Sequence, residues 1–254
     1  MKQSQFYYLL RRGLFSAGSA IIKNGLVMFN KFTTAGLNFP AQGSAEFNGS
    51  SDYIQTNNAF SYTNHTIAAW VYVEATATTK IVYDNREAND DGVFLASNAD
   101  EKIRYSVNSS DVITTGIYSN EWIFCVGTYD GTTQKLYING SQTNSASTSQ
   151  TISTSTNALI GARSHTSLDA YFNGNLANVA IWNRALSSDE INSVMWKSYE
   201  ALSGAESNGL QAWYSLDDIT SPAASLANME QLATDKNATI ENKAAITAAI
   251  NALS

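Results

Sequence analysis

The chain has 254 residues, with Lys+Arg 15 against Asp+Glu 22, a formal net charge of −7 and a pI of about 4.8. That charge argues against nucleic-acid binding, which needs a basic surface to displace phosphate counterions, and a single cysteine excludes an intrachain disulfide framework or a thiolate zinc site built by this chain alone. Tyr 13, Phe 10 and Trp 5 within a 44% hydrophobic composition exclude disorder, and the length is enough to bury a core without metal or disulfide.

Residues 1–24 stand apart. Phe6, Tyr7, Tyr8, Leu9 and Leu10 precede Arg11-Arg12, and a short apolar run, Gly13 to Ile22, follows. An export signal places its charges before a clean apolar segment. A twin-arginine signal is the nearest alternative, but the run is short and no small-x-small cleavage site follows. The segment therefore reads as an anchoring arm, with Phe6, Leu10, Leu14, Ala17 and Ile21 able to share a helical face. No stretch approaches the roughly 18 apolar residues of a membrane span.

From Gly25 to about Leu186 the pattern is short strands with turn chemistry between them. Ala45–Phe47 and Tyr53-Ile54 flank the turn Asn48-Gly49-Ser50-Ser51, and His65–Val73 is a long run of β-formers. Lys80–Asp84, Gly92–Ser97 and Ile103–Val107 follow at intervals of about ten residues. Trp122–Tyr129 and Lys135–Ile138 flank Asp130-Gly131-Thr132-Thr133, a hairpin signal. Residues 141–157 are too polar for a buried strand except around Ile152. The expectation is an all-β antiparallel sandwich from about residue 25 to 218, with Trp70, Trp122, Cys125, Trp182 and Trp213 on inward faces.

After Leu186 the period changes. A short helix is expected at about 188–199, capped by Ser187 or Ser188, with Ile191, Val194 and Met195 on its apolar face. Gly209–Leu216 returns to strand. Residues 219–254 form a C-terminal extension, irregular to about 237 and helical over Ile240–Leu253, where Ile246, Ala249, Ile250 and Leu253 share a face.

The run from Glu121 through Gly140, the segment Leu159-Ile160-Gly161 with Tyr171 to Ser187, the opening Ala45 to Ile54 and the closing Gly209 to Asp218 together resemble the laminin G-like, concanavalin A-like jelly-roll superfamily. The resemblance spans about residues 25–218 in the expected order and implies two facing antiparallel sheets. It does not settle function, because the fold hosts lectins, glycosidases, pentraxins, adhesion modules and viral surface proteins.

The glycosidases of that superfamily carry Glu-x-Asp-x-x-Glu on one strand, which brings acids to one face as acid and nucleophile. No such motif occurs here, so no catalytic residue is expected. Cys125 alternates within an apolar strand and reads as a small buried hydrophobe. Of the two histidines, His65 begins a strand and His165 lies in a polar loop. The resemblance to pentraxin and laminin G modules implies Ca²⁺ at the loop rim; the few loop acids here lead to the expectation of at most one, with Asp90, Asp91 and Asp169 as candidates, and a core of this size should not depend on it. Glycan contact would draw on Tyr83, Asn85 and Arg86 near one loop and on Tyr171 and Asn173 near another.

The domain type implied by the resemblance works outside cells, yet Met1 is followed by no convincing signal. These features lead to the expectation of a non-enzymatic virion surface protein, a bacteriophage head-decoration or fibre component displaying a glycan-binding domain. A secreted or cell-surface carbohydrate-binding or adhesion module is the alternative, and a glycoside hydrolase ranks below both. Expected partners are other virion proteins, through the arm and the C-terminal helix, and a host-surface glycan. Homo-oligomerisation through Ile246, Ile250 and Leu253 stays open.

Overall fold

The computed structural model describes residues 44–75, 77–87, 91–163 and 167–216. The expected arm, residues 25–43, Asp90, His165 and the C-terminal extension beyond residue 216 lie outside the described residues. Among the described residues, thirteen strands build two antiparallel sheets. The first sheet contains β1 (Ala45–Asn48), β12 (Asn173–Trp182), β3 (His65–Val73), β8 (Trp122–Tyr129), β9 (Thr133–Ile138) and β10 (Ser141–Ser147) in that order, with β13 (Leu210–Tyr214) also pairing β12. The second runs β2 (Ile54–Gln55), β11 (Leu159–Ile160), β4 (Lys80–Asp84), β5 (Val93–Ser97), β6 (Ile103–Val107) and β7 (Ser110–Ile113). β10 is polar because it is an edge strand and mostly solvent-facing.

Strand alternation fills the space between the sheets. Ile67, Ala69, Val71 and Val73 of β3 and Ile123, Cys125 and Tyr129 of β8 meet Val93, Leu95, Ile103, Tyr105 and Val107 of the second sheet in one core. Gly127 stands opposite the Tyr105 ring, and a Cβ there would lie 2.3 Å from it. In β12 a bulge at Asn178, with φ +48°, shifts the alternation. Leu176 points inward before it, and Val179 and Ile181 point inward after it. β1 and β13 can then follow one another along the same edge of β12.

The outer face of the first sheet has its own apolar layer. Ala68, Trp70, Phe124, Val126, Ala180 and Trp182 pack under helix α1 (Ser188–Val194), a 3₁₀ turn (Tyr199–Ala201) and helix α2 (Gly204–Ser207). Both helices open with a capping box, Ser187 with Glu190 and Ser203 with Glu206. The expected helix over 188–199 is shorter than its apolar spacing suggested. It ends at Val194, and the indole N–H of Trp70 takes the Met195 carbonyl at 3.1 Å. The Trp182 indole likewise donates to the Glu206 carbonyl at 2.7 Å.

Trp70, Cys125, Trp182 and Trp213 are buried as expected, but Trp122 is 42% exposed. The correction follows from parity. Ile123, Cys125 and Tyr129 take the inward positions of β8, so Trp122 falls on the outer face with Phe124 and Val126. The helical cover packs over Phe124 and Val126, and Trp122 lies outside that cluster.

His65 lies in the core. Its Nδ1–H donates to the Tyr62 carbonyl at 3.0 Å, so Nε2 accepts the Tyr105 hydroxyl at 2.5 Å, which fixes the neutral tautomer. Burial pushes its pKa down to about 4. Between pH 6.5 and 4 the unfolded chain therefore binds a proton that the folded chain does not, and stability falls as pH falls through that window. The expected loss by pH 4 is about 3 kcal/mol, and His65→Gln should flatten the slope in urea midpoints measured from pH 7 to 4.5. Below that range the caps add to the loss. Arg184 holds the Glu190 carboxyl at about 2. Burial raises Glu206, but Lys197, Ser193 and Ser203 outweigh it and hold this carboxyl at about 2 as well. Their contribution is present above the ordinary carboxylate range and disappears as pH falls toward 2.

Candidate functional site

The residues expected near the β4 loop are interior. Tyr83 belongs to the core between the sheets. Asn85 is fully buried; its amide donates to the Ala59 carbonyl at 2.8 Å and its oxygen accepts the Val93 N–H at 2.7 Å, so it ties two loops together. Arg86 reaches back to Asp84 in a two-pronged pair, Nε to Oδ1 at 3.0 Å and Nη2 to Oδ2 at 2.8 Å, with its guanidinium 4.0 Å above the Phe94 ring. Arg104 lies over the same ring and pairs with Asp111 at 2.6 Å. Asp84, Phe94, Ser106 and Asp111 form one cross-strand row on the outer face of the second sheet. Two cations and two anions thus pair over one aromatic ring.

Of the three calcium candidates, Asp91 and Asp169 lie among the described residues. Asp169 presents both oxygens to Arg163, at 2.6 and 2.8 Å, and Asp91 accepts the Ser153 N–H at 3.2 Å. Among the described residues no group of three His, Cys, Asp or Glu is placed to hold a metal. Cys125 is buried, which pushes its thiol up and keeps it from acting as a nucleophile.

Tyr171 and Asn173 are half-buried, and the Tyr171 ring lies 6.5 Å from that of Tyr53. Asn173 borders a row the sequence did not reveal. On the outer face of the first sheet, at the end the helices leave bare, register sets Glu46 of β1 opposite Asn175 of β12. Asn175 stands opposite Tyr72 of β3, and Tyr72 opposite Trp122 of β8. The Tyr72 and Trp122 rings are 5.8 Å apart, tilted by 52°. One step along β12, Asn173 donates to Glu74 at 2.8 Å, and Asn175 donates to Ser44 at 3.3 Å. Between them Gly174, at φ +129°, brings β12 so close to β3 that a Cβ would lie 2.1 Å from the Tyr72 carbonyl. The row thus joins an exposed indole, a phenol, an amide and a carboxylate on four adjacent strands. Its only warning in the sequence is the parity of Trp122 against Ile123 and Cys125.

Two facing antiparallel sheets match what a family model independently recognises. The model for the concanavalin A-like lectin/glucanases superfamily matches residues 48–192, more than half of the chain. The chain belongs to this superfamily. No curated protein is matched by the sequence. Among solved structures, a candidate carbohydrate-binding protein from Bacteroides ovatus is similar with a TM-score of 0.56 and 15% identity, covering 69% of this chain. The chain spans about half, 51%, of that protein's length. The CBM40 domain of a Ruminococcus gnavus IT-sialidase, bound to α2,3 sialyllactose, is similar with a TM-score of 0.49 and 12% identity over 61% of this chain and 99% of that one. A heptameric SAP-like pentraxin from Limulus polyphemus gives a TM-score of 0.43 at 16% identity, over 61% of this chain and 76% of that one. At such identities the likeness is one of fold. Among the described residues no helix is long and apolar enough to cross a membrane.

Proposed function

We propose that this chain is a non-enzymatic glycan-binding domain whose binding row is Trp122, Tyr72, Asn175 and Glu46. The observation that carries the reading is an indole 42% exposed, set in register with a phenol, an amide and a carboxylate on neighbouring strands. Sugars offer apolar C–H faces and hydroxyl edges, and such a row presents a ring for the first and side-chain oxygens and N–H groups for the second. Aromatic walls with a few polar groups are the usual make-up of a small-molecule site. Superfamily membership supports the reading, as does the fold shared with the Bacteroides protein. Binding without cleavage is proposed because the carboxylates in and beside the row, Glu46 and Glu74, are both exposed, whereas a glycosidase acid sits in desolvated surroundings.

The setting we propose is a virion surface, with residues 1–24 as the anchor. The support is composition: seven large apolar residues, Phe6, Tyr7, Tyr8, Leu9, Leu10, Leu14 and Phe15, flank or follow one another around Arg11-Arg12. A printed array of neutral and acidic glycans probed with the full chain tests the binding. Trp122→Ala should lower retention about tenfold, and a chelator should leave retention unchanged, because Asp169 is engaged by Arg163. Equal retention by wild type and Trp122→Ala overturns the site. For the setting, deletion of residues 2–22 should leave a folded chain that no longer joins the particle.

A further inference from the structure

We infer that this row takes an extended, neutral glycan chain rather than a single terminal or acidic sugar, with Trp122 and Trp196 as two separate stacking subsites. The inference rests on the glycan-binding reading above and names its ligand class.

Trp196 follows α1 and is 51% exposed, more than Trp122. Its ring packs on that of Trp70 at 5.7 Å, and Trp70 packs in turn on Phe124 at 5.4 Å. Trp70 and Tyr72 are two residues apart on the same face of β3, about 7 Å along the strand. One exposed indole therefore rests on Trp70 and the other beside Tyr72, so the two bracket a stretch of β3 longer than a single ring contact. Buried Trp70 lies against Trp196, and half-buried Tyr72 lies against Trp122. Trp70 is fixed by its hydrogen bond to the Met195 carbonyl, the residue before Trp196, so the cover and the sheet set the spacing together.

The chemistry of the bound chain follows from the strands involved. β3 and β8 lie inside the sheet, each hydrogen-bonded on both sides. A peptide laid on them would find no open ladder of backbone groups to pair with, so recognition must come from ring faces and side-chain oxygens. Charge narrows the class further. Glu46 belongs to the row, Glu74 borders it, Glu121 precedes Trp122, and none of the row positions carries Lys or Arg. Uronic or sialic acids would meet like charge along the row, and Lys197, next to Trp196, is already paired with Glu206, while neutral hydroxyls can donate to the row's carboxylates.

The test is calorimetric titration of the full chain with neutral gluco-, galacto-, manno- and N-acetylglucosamine oligosaccharides of one to six units, and with oligogalacturonates as the acidic counterpart. Affinity for the preferred neutral series should rise about tenfold from one unit to the longer members. Trp196→Ala should remove that gain while leaving the short members as they were, and Trp196→Phe, which keeps a ring, should retain it. Trp122→Ala should weaken every length. Equal affinity for one and six units, an unchanged titration of the long members by Trp196→Ala, or tighter binding of oligogalacturonates would overturn the inference while leaving the glycan reading in place. Failure of every series and of the glycan array to bind the wild type would instead remove the reading beneath it.

Discussion

Trp182→Ala is expected to lower the unfolding free energy by roughly 3–5 kcal/mol, whereas Trp122→Ala costs less than about 1 kcal/mol. Trp182 is 0% exposed. It meets Trp213 edge-on at 6.2 Å between ring centres, and its indole N–H ends on the Glu206 carbonyl. Truncation opens a cavity under the helical cover and leaves that carbonyl without its donor, so two named costs add. The neighbouring layer of Ala180, Leu186 and Leu210 is already close-packed and has little freedom to collapse inward. Trp122 lies against Tyr72 at the surface and is 42% exposed, so its removal opens no enclosed cavity. Urea unfolding of the two variants checks the contrast, with an unchanged slope marking a change in stability alone. Similar losses for both would mean that the outer layer of the first sheet extends further than the cover allows.

Asp84→Ala should be as costly, again about 3–5 kcal/mol, because it strands the Arg86 guanidinium. The Asp84 side chain is 0% exposed and that of Arg86 is 9% exposed. Asp84 also accepts the Arg86 backbone N–H at 2.9 Å, so one carboxylate positions both the side chain and the turn that follows β4. Without it, a cation stays over Phe94 with its principal counter-charge gone, and the ring face repays only part of the difference. A buried pair is weak evidence of net stabilisation, since the desolvation of both charges opposes their attraction. The double replacement Asp84→Leu with Arg86→Met should accordingly recover most of the loss. Denaturation of the single and double variants decides the matter: a single variant losing less than about 1 kcal/mol would show that the pair is solvated in practice.

The contrast between these two sites also marks the reach of local sequence information. Strand positions were legible because alternation and turn residues are local: Asp130-Gly131 closes the β8–β9 hairpin, and Ser187 with Glu190 opens α1. The second box, Ser203 with Glu206, carried the same Ser-x-x-Glu signal and was open to the same reading. Asn85 and Arg86 looked like loop residues available to a ligand, since polar side chains after a strand usually face water. Their burial depends on Phe94 and on the loop carbonyls of Ala59 and Phe60, brought near by the fold.

By itself the sequence determined that the chain would form a two-sheet antiparallel sandwich and that Cys125 would be a small buried hydrophobe. Each follows from a period of two and from side-chain chemistry within a few residues. Only the tertiary structure decided which face was covered and how far. Register across β1, β12, β3 and β8 lines up Glu46, Asn175, Tyr72 and Trp122 from segments spread over more than a hundred residues of chain. The helices after residue 187 cover Trp70 and leave Trp122 bare. Periodicity assigns a side chain to a face; whether that face meets protein or water is set by where distant segments pack, and no local pattern encodes that.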